Sequence, residues 1–249
     1  GGPDMPWATV GPSAIPEREG YPVPRELTIA EIEALIGRFR AAFRRALAAG
    51  FEILEIHGAH GYLVHSFFSP VSNRRADAFG GSLEQRMRLP LLIAEVARSV
   101  WPKDRPVFYR ASVVDGVEGG VTIEDTVVLA RALKGKGIDV IDCSSGGMSG
   151  PATLSMRKIV PGFQVPLSEA VRQGAGIATM AVGAILDGPQ AEAILEQGKA
   201  DLVAIGRELM VNPGWCLGAA AALGVENPFS VLPMPYSFYL ERRAKVLER

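Results

Sequence analysis

Phe51-Glu-Ile-Leu-Glu-Ile56 is followed at once by His57-Gly-Ala-His60-Gly-Tyr62-Leu63. The first of these segments is mainly apolar and predicts a strand. The second contains glycines, histidines and a tyrosine, which predict that the strand ends in a polar turn. Two of the 3 histidines of the chain lie in this turn. We interpret the rest of the chain from this predicted strand and the polar turn that follows it.

The spacing of His57 and His60 allows the two imidazoles to converge on one point, which Tyr62 can face from another side. Two neutral imidazoles that donate hydrogen bonds to one oxygen polarise a carbonyl group. A tyrosine hydroxyl is protonated at neutral pH and can donate its proton. We therefore interpret Tyr62, His57 and His60 as catalytic and substrate-binding residues for reduction of a conjugated C=C bond. No side chain supplies a hydride, so the reaction requires a redox cofactor.

Strands and helices alternate along the whole chain. The helix from Thr28 to Gly50 begins with a capping box, Thr28 with Glu31, and Thr122 and Asp187 are predicted to cap later helices. Residues 57–83 and 144–161 are predicted to be long loops. The other predicted helices are Leu83–Val100, Thr122 to Gly135 or Gly137, Leu167–Gln173, Pro189–Gln197 and Glu208–Val211, and the predicted strands are Phe51–Ile56, Pro106–Ser112, Ile138–Cys143, Ile177–Val182 and Asp201–Ile205.

This alternation predicts a parallel α/β sheet covered by helices. A doubly wound sheet and a (β/α)8 TIM barrel both fit the spacing. The barrel is favoured because candidate functional residues follow nearly every strand, whereas a doubly wound sheet concentrates them at one switch point. Only five strands are predicted, so about the first three βα units are expected to be absent from this chain. We expect one partial barrel domain over residues 1–249, with a loop at 1–27 and a C-terminal tail at 228–249.

The composition is that of an ordinary globular protein, with 249 residues, 48% hydrophobic and 21% charged residues, and a net charge of −1. This balance indicates neither nucleic-acid nor membrane-surface binding. No apolar stretch approaches the roughly 18 residues of a membrane-spanning helix. The 2 cysteines are too few for a disulfide framework or a cysteine-rich metal site, and they favour a cytoplasmic setting.

Four further residues are candidates for binding a phosphate-bearing cofactor. Gly183 and Gly206 follow the last two predicted strands, where barrels usually bind phosphate, and Arg207 adds a guanidinium. Arg110 lies at the end of its strand and can face the pyrimidine edge of a flavin.

Six motifs, taken together and in order, resemble the Old Yellow Enzyme family of FMN-dependent ene-reductases. The likeness is greatest to its bacterial NADPH dehydrogenase and xenobiotic reductase branch, and it covers essentially the whole chain. The motifs are His57-Gly-Ala-His60-Gly-Tyr62-Leu, Phe68 to Arg86, Arg110-Ala-Ser112, Asp142-Cys-Ser-Ser-Gly146, Ala181-Val-Gly183 and Ala204-Ile-Gly206-Arg207-Glu.

The resemblance implies FMN as cofactor, NADPH or NADH as reductant, and a small enone or enal as substrate. It implies that His57 and His60 hold the substrate carbonyl and that Tyr62 protonates the α-carbon, with Arg110 on the isoalloxazine and Gly183, Gly206 and Arg207 on the phosphate. It also implies a homo-oligomer whose tail, through Tyr239 or Arg242, reaches a neighbouring subunit. The family's N-terminal units, which contribute to the flavin site, are expected to be missing here.

Two alternatives stay open. One is a zinc metallohydrolase, with His57, His60 and either His65 or Asp77 as ligands; no carboxylate follows a later strand to support it, and we predict no metal. The other is a non-catalytic half-barrel that requires a partner chain, because five strands leave two open edges.

Overall fold

A computed structural model describes residues 7–17, 19–148 and 159–247. The strands in these ranges are β1 (Val10–Gly11), β2 (Arg25–Glu26), β3 (Leu54–Gly58), β4 (Val107–Ser112), β5 (Val140–Ser144), β6 (Ala178–Val182) and β7 (Leu202–Ala204). The helices are α1 (Ile29–Ala48), α2 (Leu63–Phe68), α3 (Leu83–Val100), α4 (Ile123–Gly135), α5 (Val165–Ala175), α6 (Gly188–Glu196), α7 (Arg207–Val211), α8 (Trp215–Ala222) and α9 (Met234–Leu247), with a 3-10 helix at Pro228–Val231. Part of the predicted irregular segment after β5, residues 149–158, lies outside the described residues.

Strands β3 to β7 form one parallel sheet in the order β3-β4-β5-β6-β7, as the alternation of strands and helices predicted. Because the strands are parallel and sequential, their carboxyl ends meet at one edge of the sheet. The local signals for the helices are also present. Thr28 and Thr122 form capping boxes with Glu31 and Asp125, and the Asp187 side chain accepts a hydrogen bond from the Gln190 backbone N–H.

The two faces of the sheet differ because side chains alternate along each strand. One face packs against the helices and contributes Ile56, Tyr109 and Ile141 to the largest buried cluster of the described residues. The other face carries one row of residues that are paired in register across all five strands: His57, Arg110, Asp142, Met180 and Leu202. We call this second side the open face, because it is only partly covered: Asp142 is buried, whereas His57 and Leu202 are exposed.

The first strand of this sheet begins later than predicted. Phe51 and Ile53 are 62% and 53% exposed, and pairing with β4 starts only at Leu54. At its other end the strand runs to Gly58 and includes His57, which the sequence placed in the turn. Hydrophobicity alone placed the start of the strand three residues too early, because Phe51 is apolar without being buried.

The loop predicted for residues 57–83 contains a helix, α2, and the prediction is wrong there. All of Val64 to Phe68 are buried, including His65. The helix has six residues, which is too short to show a clear helical period in the sequence.

Arg75 fixes the loop after α2 against the segment that precedes α1. Its guanidinium donates hydrogen bonds to the carbonyl oxygens of Pro12 and Leu27, at 3.0 and 2.6 Å, and pairs with Asp77. The region predicted as a loop at 1–27 also contains the short parallel pair β1 and β2. Among the described residues, no helix combines the length and the apolar character needed to cross a bilayer.

Candidate active site

His57, His60 and Tyr62 come together at the carboxyl end of β3. The ring centroids of His57 and His60 are 5.3 Å apart, and those of His57 and Tyr62 are 5.2 Å apart. His57 points from the strand onto the open face, while the other two residues lie in the turn that follows. The spacing in the sequence thus places two imidazoles and a phenol around one small volume.

The turn has an unusual backbone. His60 and Gly61 have φ angles of 60° and 75°, so both are in the left-handed region, which costs a non-glycine residue about 1–2 kcal/mol. A Cβ atom at Gly61 would collide with the carbonyl oxygen of Gly147, and one at Gly147 would collide with the His60 backbone. The turn therefore packs directly against the loop after β5, and glycine is required on both sides of the contact.

Two serines from neighbouring strands hold His60. The backbone N–H of His60 donates to Ser112 Oγ at 3.0 Å, and its Nε2 lies 2.7 Å from Ser144 Oγ. Ser112 Oγ in turn donates to the Gly146 carbonyl oxygen at 2.6 Å. Because Ser112 and Ser144 are register partners on β4 and β5, the sheet itself sets the position of this imidazole.

Both imidazoles of the pair are kept neutral. Burial, followed by the positive charge of Arg110, lowers the pKa of His57 and lowers that of His60 to about 4. A neutral imidazole has one N–H donor and one acceptor nitrogen, so it can donate a hydrogen bond without carrying charge.

We expect an NMR titration of His60 to show a midpoint near pH 4, with no change between pH 6 and 7. Because the pKa is lower in the folded protein than the ordinary value of about 6.5, the unfolded chain binds more protons between these values. The contribution of His60 to stability is therefore complete above pH 6.5 and is lost as the pH falls towards 4. A midpoint near 6.5 would contradict this assignment.

Arg110 lies beside His57 on the open face and forms a charged group with Asp142. Its Nε is 3.1 Å from Asp142 Oδ2, an ion pair whose alignment falls short of a hydrogen bond. Burial raises the pKa of Asp142 to about 7, with Arg110 opposing the shift and Glu55 adding to it. The Arg110 side chain is 28% exposed, so it is not wholly covered by its carboxylate partner.

The three predicted phosphate-binding residues are separate from the histidines, on the far strands of the sheet. Gly183 follows β6 and Gly206 follows β7, and these strands are neighbours with Val182 and Ala204 in register. Gly183 has a φ of 116°, and a Cβ there would collide with Gln164 and Phe163. The backbone of Gly206 is open, and Arg207 begins α7 with an exposed side chain. These groups lie three and four strands from β3, at the same edge of the sheet.

Both candidates for the third zinc ligand, His65 and Asp77, have other partners in the structure. His65 is fully buried with Nδ1 accepting from the Gly61 N–H at 2.9 Å, and Asp77 is engaged by Arg75. Within the described ranges, no group of three histidine, cysteine or carboxylate side chains is arranged to hold a metal ion.

Sequence reasoning missed the partners that support the turn. No sequence pattern points to Asp115, and the sequence suggests His65 only as a metal ligand. A lone histidine within the apolar run Leu63 to Phe68 was the available signal, because a buried imidazole requires polar partners.

Comparison with known proteins identifies the family of the chain. The family model described as the NADH:flavin oxidoreductase / NADH oxidase family matches residues 4–224. The NADPH dehydrogenase of Geobacillus thermodenitrificans strain NG80-2 is 45% identical over 223 residues, which are 90% of this chain and 64% of that protein. The chain therefore spans less than two thirds of the length of this relative.

Solved structures give the same fold. Morphinone reductase in complex with tetrahydroNAD matches with a TM-score of 0.67 and 28% identity, over 86% of this chain and 61% of that one. The Old Yellow Enzyme homologue from Zymomonas mobilis matches with a TM-score of 0.68 and 27% identity, over 83% and 59% of the two chains. The predicted fold, part of a (β/α)8 barrel, and the resemblance to Old Yellow Enzymes are confirmed. The chain belongs to the NADH:flavin oxidoreductase / NADH oxidase family.

Proposed function

We propose that this chain is the C-terminal portion of an FMN-dependent ene-reductase, which uses NADPH or NADH to reduce the C=C bond of enones and enals. The observation that carries the proposal is the cluster of His57, His60 and Tyr62, with both imidazoles neutral, at the carboxyl edge of the sheet. The relative from Geobacillus is named NADPH dehydrogenase, which supports the choice of reductant. A single domain and a cytoplasmic setting are parts of the same proposal.

Two features support flavin binding, one on the open face and one at the carboxyl edge of the sheet. Arg110 provides a partly exposed cation beside His57, suited to the electron-rich edge of the isoalloxazine. Gly183, Gly206 and Arg207 provide backbone amides and a guanidinium for a phosphate. Arg207 forms no ion pair with any of the described residues, so its charge is not already neutralised.

His57, His60 and Tyr62 act on the substrate. His57 and His60 donate hydrogen bonds to the carbonyl oxygen of the substrate and withdraw electrons from the conjugated double bond. A bound FMN, held by Arg110, Gly183, Gly206 and Arg207 and reduced by NADPH, would supply the hydride for the β-carbon. Tyr62 donates its hydroxyl proton to the α-carbon and is reprotonated from solvent, to which it is 64% exposed. The substrate gains one hydride and one proton, and NADPH is oxidised to NADP⁺.

The direct test is reconstitution. The chain, joined to the N-terminal barrel segment of a relative, is purified and examined for flavin absorbance and for NADPH oxidation with cyclohexenone. We expect bound FMN and formation of cyclohexanone. Bound FMN without enone reduction would refute the substrate, and absence of FMN would favour the non-catalytic half-barrel.

Arg207→Met should weaken FMN binding by about tenfold or more, since a hydrogen bond to a charged group contributes about 1.5–3 kcal/mol. Fluorescence titration of the reconstituted apoprotein with FMN measures this change. Arg243→Met, which removes a charge from exposed α9, is the matched control and should leave the affinity unchanged. Equal affinities for the two variants would exclude Arg207 from the phosphate site.

We further propose that the protein is a homo-oligomer in which α9 contacts a neighbouring copy. Tyr239 is 72% exposed, and Arg242 lies 5.3 Å above the Phe238 ring, so this helix presents aromatic surface to its surroundings. Light scattering should give a mass above that of one chain. Substitution of Tyr239 and of Arg242 in turn should show which of them crosses the interface.

A further inference from the structure

We propose that His65 and Asp115 are positioning residues that hold the turn carrying His60 and Tyr62 in its active geometry. The inference rests on the function proposed for those two residues, but its principal test does not measure that function. Neither His65 nor Asp115 belongs to the row of residues on the open face, since His65 lies in α2 and Asp115 follows β4. Both side chains are fully buried.

The first step of the argument is the hydrogen bond from the turn to His65. The backbone N–H of Gly61 donates to His65 Nδ1 at 2.9 Å. An amide can only donate, so Nδ1 must be an unprotonated acceptor, and the proton of a neutral ring then lies on Nε2. This bond is one of the few that hold the left-handed pair His60 and Gly61 in place.

The second step is the contact that fixes this tautomer. Nε2 of His65 lies 2.9 Å from Asp115 Oδ1, a close electrostatic contact whose alignment falls short of a hydrogen bond. The other oxygen, Oδ2, accepts from Ser69 Oγ at 2.6 Å and from the Val121 N–H at 2.8 Å. Two donors therefore orient the carboxylate. Its other oxygen, Oδ1, favours the His65 tautomer that has its proton on Nε2.

A carboxylate is required at position 115. An asparagine there would direct its NH2 group either at the Nε2–H of His65 or at the Val121 N–H, so one donor would face another in either orientation. The alternative is a shift of the imidazole proton to Nδ1, which would place it against the Gly61 N–H. Each outcome weakens the support of the turn without touching His57, His60 or Tyr62.

Two substitutions of His65 separate positioning from packing. In His65→Asn the side-chain oxygen takes the place of Nδ1 and keeps the acceptor for Gly61. In His65→Gln the side-chain nitrogen takes the place of Nε2 and keeps the donor to Asp115, while the acceptor is lost. Both variants remain polar and each loses one contact, so a purely structural role would affect them alike.

The readout is hydrogen exchange of the Gly61 amide, followed by NMR in the FMN-loaded protein. We expect His65→Gln to lower the protection of Gly61 by about tenfold, the effect of one buried hydrogen bond, whereas His65→Asn should change it by less than about threefold. The amide of Ile141 in the sheet core serves as the internal reference for global stability. Equal losses at Gly61 in both variants would overturn the proposal.

A second measurement needs no variant and covers the case in which neither folds. In the unmodified protein, the ¹⁵N spectrum of His65 should show an unprotonated Nδ1 coupled through the hydrogen bond to the Gly61 nitrogen. A protonated Nδ1 would overturn the proposal. Enone turnover by the two variants is a separate readout: if Gly61 responds as expected but turnover does not follow, the proposed function fails and the structural role of His65 stands.

Discussion

The variant His57→Ala/His60→Ala should reduce an enone about 10³-fold more slowly than the unmodified protein while retaining its yellow colour. Removal of one preorganised donor from an oxyanion site costs about 10²–10³ in rate, and both donors of this site are lost here. The two effects are not additive, because the donors act on one oxygen, so we expect the loss to remain near the upper end of that range. The rate is measured as reoxidation of the reduced flavin by cyclohexenone in a single turnover.

The matched control for this variant replaces the same two histidines by asparagine. An amide retains an N–H donor but lacks the geometry of the ring, so this protein should keep much more activity than the double alanine variant. FMN content, measured by absorbance, should be equal in all three proteins because no phosphate-binding residue is altered. Unchanged enone reduction in the double alanine variant would remove the basis of the proposed mechanism.

Tyr62→Phe should slow the reduction of cyclohexenone by about 10²-fold, which is the lower end of the range for a positioned proton donor. The ring remains, so its contact with His57 at 5.2 Å is preserved and only the hydroxyl is lost. Tyr236→Phe removes an equally exposed hydroxyl from α9 and should leave the rate unchanged. Reduction of the flavin by NADPH should be altered much less than its reoxidation, because only reoxidation by an enone requires the proton.

The outcome for Tyr62→Phe also distinguishes two sources of the proton. An unchanged rate would mean that water protonates the α-carbon, since Tyr62 lies at an exposed position. A loss of rate that is restored by substrates whose α-carbon is protonated easily would support Tyr62 as the donor.

Local sequence signals predicted the helices well. The capping pairs, Thr28 with Glu31 and Thr122 with Asp125, join residues three positions apart. In the structure a helix begins directly after each cap. The parallel sheet followed from the alternation of strands and helices, and the sequential strand order agrees with the barrel that the residues after the strands favoured. Helix α2 was not predicted, because nearly all of its six residues are buried by the surrounding elements and its sequence therefore shows no helical period.

The candidate site was predictable where its members are close in sequence and not elsewhere. His57, His60 and Tyr62 lie within six residues, so their convergence follows from one turn. Ser144, by contrast, is 84 residues from His60, and Ser112 is 52 residues from it. Such partners are determined by strand register, which a single sequence does not reveal.

The mutual contact of Gly61 and Gly147 limits how this protein can be diversified. Any side chain at either position meets the backbone of the other loop, so neither glycine tolerates randomisation in a library meant to broaden substrate range. Because the two loops touch through main-chain atoms, an insertion in the second loop would also displace the first. Changes of substrate preference are therefore best sought at side chains that border the turn, with these two backbone positions held constant.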